Sequence, residues 1–237
     1  MTEMSFLKKC IARELFKIGA IQDKSQSPGG KGFKLKLHEK SPGAPLSPFY
    51  LNFRTPDNPK PGPLTPDIIE AVGQELFLLA CEKELRYDFV VGVPRAGDPI
   101  AEAFARTFFL TQGKPIPVLT LDKEETARGR RVVISNESSE IIRQTLVGDV
   151  PLLIDDLITQ SHSKEEATSA LEYQGLKPYD VLVLVDREQG GTEQLYKKGY
   201  RLHADFKFSG LLDFYLAERL MDKATYNEIN AYLADNR

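Results

Sequence analysis

The sequence predicts an α/β fold: a central, mainly parallel sheet flanked by helices. Three observations point there. Short, wholly apolar runs at residues 89–93, 150–154 and 181–185 have the length and continuity of strands buried on both faces. Those runs alternate with helix-length segments, the pattern of a layered sheet with crossover helices. The composition is globular: of 237 residues 41% are hydrophobic and 27% charged, which excludes a disordered chain or a coiled coil. A chain this long buries enough surface to fold without a disulfide or a metal staple.

The elements follow in order. The opening stretch, MTEMSFLKKCIARELFKIGAI, reads as an amphipathic helix with Phe6, Ile11, Leu15 and Ile18 on one face. It lacks the apolar core and cleavage site of a signal peptide, and no run reaches the length of a membrane span. The expectation is a soluble, cytoplasmic protein without a membrane partner. Residues 23–66 are dense in Pro, Gly, Ser and Lys, with strand-like interruptions at 33–37 and 49–53. We read 1–66 as a helix with a loop-rich β lobe, a hood, and 67–237 as the core with the C-terminal helices.

In the core, 66–85 is helical, opened by Thr65-Pro66-Asp67. A strand at 89–93, a helix at 99–111 and a strand at 117–121 follow. Beyond a charged segment come strands at 131–134 and 150–154, then a helix at 164–174. The chain continues with a strand at 181–185, a helix at 192–198, a strand at 202–204 and a helical tail after 209.

Charge and metal-type residues narrow the function. Lys and Arg number 31 against 34 Asp and Glu, a net −3, so no global positive field argues for nucleic acid. Cys10 and Cys81 have no paired spacing and read as small buried hydrophobes in a reducing compartment. His38 and His203 show no metal-ligand spacing and are taken as structural.

In open α/β sheets ligands bind beyond the carboxyl ends of the strands. The sharpest signal there is VPLLIDDLITQSHSKEEA: an apolar strand, two acids (Asp155, Asp156), a hydroxyl-rich turn (Thr159, Ser161, Ser163), then a helix. A turn feeding a helix start offers free N–H groups to a phosphate. Two carboxylates beside it would repel that phosphate unless they meet sugar hydroxyls or a hydrated Mg²⁺. The pattern therefore suggests a phosphorylated sugar with a metal. The plainer alternative is that the acids merely end a strand and Ser163 caps a helix.

A hydrophobic run, Asp-Asp, then T-x-x-x-S before a helix resembles the phosphoribosyl pyrophosphate (PRPP) motif of type I phosphoribosyltransferases. VLVLVDREQGG, with the following YKKGYRLHADFKFSGLLDFY, resembles orotate phosphoribosyltransferases, including the domain of bifunctional UMP synthases. SPFYLNFR at 47–54 and VGVPRAGDPIA at 91–101 resemble that family's N-terminal segment and pyrophosphate-side loop. The resemblance implies the type I phosphoribosyltransferase fold. It also implies transfer of ribose 5-phosphate from PRPP to orotate, yielding orotidine 5′-monophosphate and pyrophosphate in pyrimidine biosynthesis.

By the same resemblance Asp155 and Asp156 hold the ribose hydroxyls, with Mg²⁺ reached through water and no direct protein ligand. Thr159, Gln160, Ser161, His162 and Ser163 cradle the 5-phosphate and Lys123 faces the pyrophosphate; Arg95, standing where the family has an aromatic or small residue, is expected to supply a missing pyrophosphate contact. Arg187 pairs with the orotate carboxylate, where a planar bidentate donor suits; Tyr50 and Thr159 complete the orotate site. Lys123, Arg128, Asp155 and Asp156 form the catalytic set, and a homodimer is implied. For Arg187 the plain alternative is a surface ion pair, with Glu188 for instance.

The resemblance has gaps. Where the family's mobile loop reads R-K-E-x-K-x-H/Y-G, this chain has Asp122-Lys123-Glu124-Glu125-Thr126-Ala127-Arg128-Gly129. The second lysine is Thr126, leaving Arg128, Arg130 or Arg131 to supply a charge. Ser161 stands where the family has Gly, and His162 where it has a small hydroxyl residue. These departures keep a second reading open: a catalytically weakened paralogue that binds PRPP or a nucleotide and acts as a sensor.

Overall fold

The computed structural model describes residues 4–35, 38, 41–126, 129–138, 140 and 148–236. The chain divides into two compact units, Pro66–Lys207 and a second made of Met1–Thr65 with Phe208–Arg237. The terminal helices thus join the N-terminal segment and not the core to which the sequence reading assigned them.

The larger unit is built on five parallel strands: β3 (Phe89–Gly92), β4 (Val118–Leu119), β7 (Pro151–Ile158), β8 (Asp180–Asp186) and β9 (Arg201–Lys207). Their order across the sheet is β4-β3-β7-β8-β9. Successive strands run outward in one direction from β3 to β4 and in the other from β3 through β7 to β9. The reversal lies between β3 and β7, and a crevice forms at such a point at the carboxyl ends of the strands.

Both faces of the sheet are dry, which explains the unbroken apolar runs. Phe89, Val91, Leu153, Val181 and Val183 form one core with Ala167 and Leu171 of α4 (His162–Glu172) and Leu195 of α5 (Gly191–Lys197). The alternate residues Val90, Leu152, Ile154 and Leu182 are equally buried and face the other way. On that side α2 (Pro66–Glu82) and α3 (Gly97–Gln112) pack together, with Phe77 edge-on to Phe104 at 5.6 Å between ring centroids.

The predicted elements are present with shifted ends. The helix expected at 164–174 starts two residues earlier, and the strand at 150–154 runs on to Ile158, so both acids lie inside β7. The charged segment is no loop: β5 (Leu121–Thr126) and β6 (Gly129–Ile134) form an antiparallel hairpin. Glu124 sits directly opposite Arg131 in the register, and the two make an ion pair at 3.0 Å. Arg128 and Ala127, between the strands, lie outside the described residues.

In the smaller unit α1 (Phe6–Lys17) buries Ile11, Ala12 and Leu15, while Phe6, expected on that face, is 82% exposed. Strands β1 (Ile21–Asp23) and β2 (Phe49–Leu51) pair antiparallel. Of the run expected at 33–37, Phe33 makes a single bridge to Ser47, and 36–37 lie outside the described residues. Phe49 packs on Phe208 of α6 (Phe208–Ala217) and on Tyr232 of α7 (Lys223–Asp235), at 4.6 and 5.9 Å. The Tyr215 hydroxyl donates to the Ala12 carbonyl at 3.0 Å, tying α6 to α1.

Both cysteines are free, but Cys81 is exposed and Cys10 half-buried, so neither is the buried hydrophobe expected. The histidines have structural partners. His38 receives the Leu35 N–H at 2.9 Å and faces the Pro45 carbonyl, and His203 Nε2 lies 2.8 Å from Asp180. Among the described residues no helix is long and apolar enough to cross a membrane.

Candidate active site

The crevice between β3 and β7 is formed by close backbone approach. After β3 the chain turns through Pro94–Ala96 into α3, and Gly97 sits directly on β7. A Cβ at Gly97 would fall 2.3 Å from the Ile154 carbonyl oxygen, so only glycine lets the helix start there. The Val93 N–H donates to that same carbonyl at 2.8 Å. These contacts bring the 94–97 turn against the last residues of β7, where the two acids sit.

Asp155 and Asp156 are 4% and 8% exposed. Consecutive strand residues point to opposite faces. Asp155 Oδ1 accepts the Asp156 N–H at 2.8 Å, and Asp156 Oδ1 accepts the Leu157 N–H at 2.7 Å. The other Asp155 oxygen, Oδ2, lies 2.5 Å from the ammonium of Lys164, itself 2% exposed. That ammonium also donates to the Leu157 carbonyl. Burial, and then the charge of Asp155, push the Asp156 carboxyl well above the usual range, with Lys164 pulling the other way.

On the other wall is Asp98, in the first turn of α3, whose Oδ1 is buried without a hydrogen-bond partner. Desolvation and the nearby Asp155 raise its pKa to about 6, against the opposing pull of Arg95 and Lys123. Arg95 is exposed at the rim. Lys123 reaches from the hairpin and donates to the Pro94 carbonyl. Arg95 and Lys123 therefore share the 94–97 turn.

Past β7 the turn at Thr159–Ser161 leads into α4. The first intrahelical bond runs from the Glu165 N–H to the Ser161 carbonyl at 2.9 Å, so the N–H groups of His162, Ser163 and Lys164 precede the helical ladder. Ser161 is the N-cap but makes no capping bond. Gln194 of α5 accepts its N–H at 2.9 Å, and its hydroxyl is shared between Gln194 and Glu165. Ser163 lies within the first turn and is not the cap that the plain alternative made it. Gln160 and His162 are exposed, Thr159 and Ser163 half-buried.

Arg187 follows β8 and is buried, 7% exposed. Its Nη1 donates to Thr159 Oγ1 at 3.2 Å and its backbone N–H to the Ile158 carbonyl at 2.9 Å. The DREQGG segment and the hydroxyl turn are thereby one corner. Gly191 allows this: a Cβ there would fall 2.6 Å from Ile158 Cγ1 and 3.0 Å from the Thr159 carbonyl oxygen. Asp186 organises the loop, accepting from the Glu188 N–H and the Thr192 hydroxyl, each at 2.8 Å.

Of the predicted residues, Arg95, Lys123, Asp155, Asp156, Thr159, Gln160, Ser161, His162, Ser163 and Arg187 belong to this unit, around the carboxyl ends of β3, β7 and β8. Tyr50 belongs to the other unit, where its ring stacks on Phe33 at 5.5 Å and its hydroxyl meets Arg54. Sequence reasoning missed Lys164, Asp98 and Gln194. A lysine and a glutamine in helices read as solvated, and an acid in a first helical turn reads as a dipole partner. The one available hint was that a lysine in the first turn of α4 opposes the helix dipole.

The donor set does not amount to a protein-built metal centre. Both Asp155 oxygens are engaged, and among the described residues no group of three or more His, Cys, Asp or Glu is placed to hold a metal ion.

No family model matches the chain. It is 30% identical over 191 residues to the uridine 5′-monophosphate synthase of Bos taurus, covering 80% of this chain and 36% of that one. To the orotate phosphoribosyltransferase of Aquifex aeolicus it is 30% identical over 141 residues, 60% of this chain and 72% of that protein. The chain thus spans about a third of the bifunctional relative and most of the single-function one. Among solved structures, Leishmania donovani UMP synthase superposes with a TM-score of 0.70 at 22% identity, over 96% of this chain and 42% of that one. The orotate phosphoribosyltransferase of Francisella tularensis gives 0.66 at 17%, over 95% and 98%; these two likenesses establish the fold. With that fold, its acid pair at the sheet's switch point and sequence identity across most of a complete relative, the chain belongs to the orotate phosphoribosyltransferase family.

Proposed function

We propose that this chain transfers ribose 5-phosphate from PRPP to orotate, releasing pyrophosphate and orotidine 5′-monophosphate, in pyrimidine biosynthesis. The observation that carries the reading is the Arg187–Thr159 contact at 3.2 Å, which puts a buried guanidinium at the hydroxyl turn beside the acid pair. In the reaction a C–N bond to the base forms as the C–O bond to pyrophosphate breaks, and positive charge builds on the sugar. Asp155 and Asp156 orient the ribose hydroxyls. The turn from Thr159 to Ser163, with the first N–H groups of α4, takes the 5-phosphate. Arg187 holds the orotate carboxylate, with Thr159 beside it. Arg95 and Lys123 stabilise the departing pyrophosphate, with Arg128 as a further cation. Asp155 and Asp156 would meet Mg²⁺ through water, and the ion would supply positive charge to the pyrophosphate. A cytoplasmic homodimer belongs to the same proposal, and sedimentation tests the dimer.

The experiment is direct: with PRPP, Mg²⁺ and orotate, the absorbance of orotate is followed. Turnover by the native chain, strongly reduced in Arg187→Ala and in Asp156→Asn, is the expected result. No PRPP-dependent loss of orotate overturns it. One feature favours the second reading, a PRPP-binding protein of weakened activity: the Ser161 N–H that would serve a phosphate is already taken by Gln194. Tight PRPP binding without turnover selects that reading.

A further inference from the structure

The acid pair is accompanied by a cation of the chain's own. Lys164 is 2% exposed, and its ammonium lies 2.5 Å from Asp155 Oδ2, with the Leu157 carbonyl and, at 3.4 Å, the Ser163 hydroxyl as further acceptors. A lysine is among the residues least often buried and is costly to bury unpaired. In the first turn of α4 it also opposes the helix dipole. Neither packing nor helix propensity accounts for a charge at this place, whereas the anion in front of it does. The same ammonium contacts three parts of the corner: the acid pair, the end of β7 and the last residue of the phosphate turn. Ion pairing brings the charge of Asp155, Asp156 and Lys164 together to one unit negative at most, where two adjacent free acids would carry two.

We infer that Lys164 is the positioning residue of the sugar site. It holds Asp155 in one orientation and supplies the counter-charge at the acid pair, so that the ribose 5-phosphate half of the ligand binds without a divalent cation. Mg²⁺ then matters to the pyrophosphate half alone. The inference rests on the ribose-phosphate reading of this corner proposed above.

The test uses ribose 5-phosphate, which carries no pyrophosphate, as the calorimetric probe. The intact chain is titrated in EDTA and in Mg²⁺, alongside Lys164→Arg and Lys164→Met, with thermal melting as the check on folding. Expected are native affinities within about twofold in the two buffers and retention of binding by K164R. In EDTA, K164M should bind at least about tenfold more weakly, the scale of one charge-assisted hydrogen bond, and recover in part when Mg²⁺ is added. Native binding that falls tenfold or more in EDTA overturns the inference, as does a folded K164M that binds like the native chain. Should K164M fail to fold, Lys164→Gln takes its place under the same criteria, and a folded K164R that binds tenfold or more weakly than the native chain in EDTA also overturns the inference. No binding of ribose 5-phosphate by the native chain in either buffer sinks the underlying reading instead, which separates the two failures.

Discussion

Replacing Arg187 with alanine removes the guanidinium and leaves its backbone role intact. The Arg187 N–H would still donate to the Ile158 carbonyl, and Asp186 would still hold the loop through Glu188 and Thr192. The fold should therefore survive, with melting within a few degrees of native. The loss falls on the ligand. A forked pair of charge-assisted hydrogen bonds to a carboxylate is worth about 1.5–3 kcal/mol per bond. Water recovers part of this in the variant, so a net loss of about 3 kcal/mol is reasonable, or about a hundredfold in kcat/KM for orotate. Steady-state kinetics with orotate varied at saturating PRPP measures it, and calorimetry with PRPP alone supplies the control. Thr159 stays in place, so PRPP affinity should move by no more than about threefold, on the scale of one lost neutral hydrogen bond. Arg187→Lys should fall between, because it keeps the charge but loses the planar fork. A change of less than about threefold in kcat/KM for orotate, or an equal loss on PRPP, would refute the reasoning: Arg187 would then act only on the turn through Thr159.

Three further outcomes follow from the geometry. Asp98, with its pKa raised to about 6, keeps a proton in the fold that the unfolded chain releases near pH 4, so its contribution to stability is fully present below about pH 4 and is lost as pH rises to about 6. Asp98→Asn should flatten that part of the stability profile and raise the melting temperature at pH 7–8; an unchanged slope between pH 4 and 6 contradicts it. Gly97→Ala places a methyl 2.3 Å from the Ile154 carbonyl oxygen, and should cost about 2–3 kcal/mol or prevent folding, read by urea denaturation. Ser161→Gly removes the hydroxyl shared by Gln194 and Glu165 and lets the turn open, so PRPP should bind a few-fold more tightly by calorimetry; weaker binding would mean that Ser161 shapes the cradle.

The parts legible in the sequence were those whose signal is local. Apolar runs announced β3, the first half of β7 and β8 because strands covered on both faces admit few polar residues. The acid pair, the hydroxyl turn and Arg187 could be placed at strand ends from their positions in the chain. The far half of β7 was hidden, because Asp155 and Asp156 break the apolar run while the backbone ladder continues. Asp155 stays opposite Val183 and Ile158 opposite Asp186. The β5–β6 hairpin was hidden for a related reason, since its pairing uses charged residues such as Glu124 and Arg131 in place of apolar alternation.

Element type, the sheet's class and the place to look for chemistry were set by residue order alone, because periodicity and turn signals act over a few neighbours. Which strands adjoin, and therefore that the 94–97 turn meets the acids of β7, was decided only in three dimensions. The same holds for Lys164, Asp98 and Gln194, whose partners are 9, 57 and 33 residues away in the chain. Burial gives such groups their meaning: a charge that water would screen becomes decisive once the fold takes the water away.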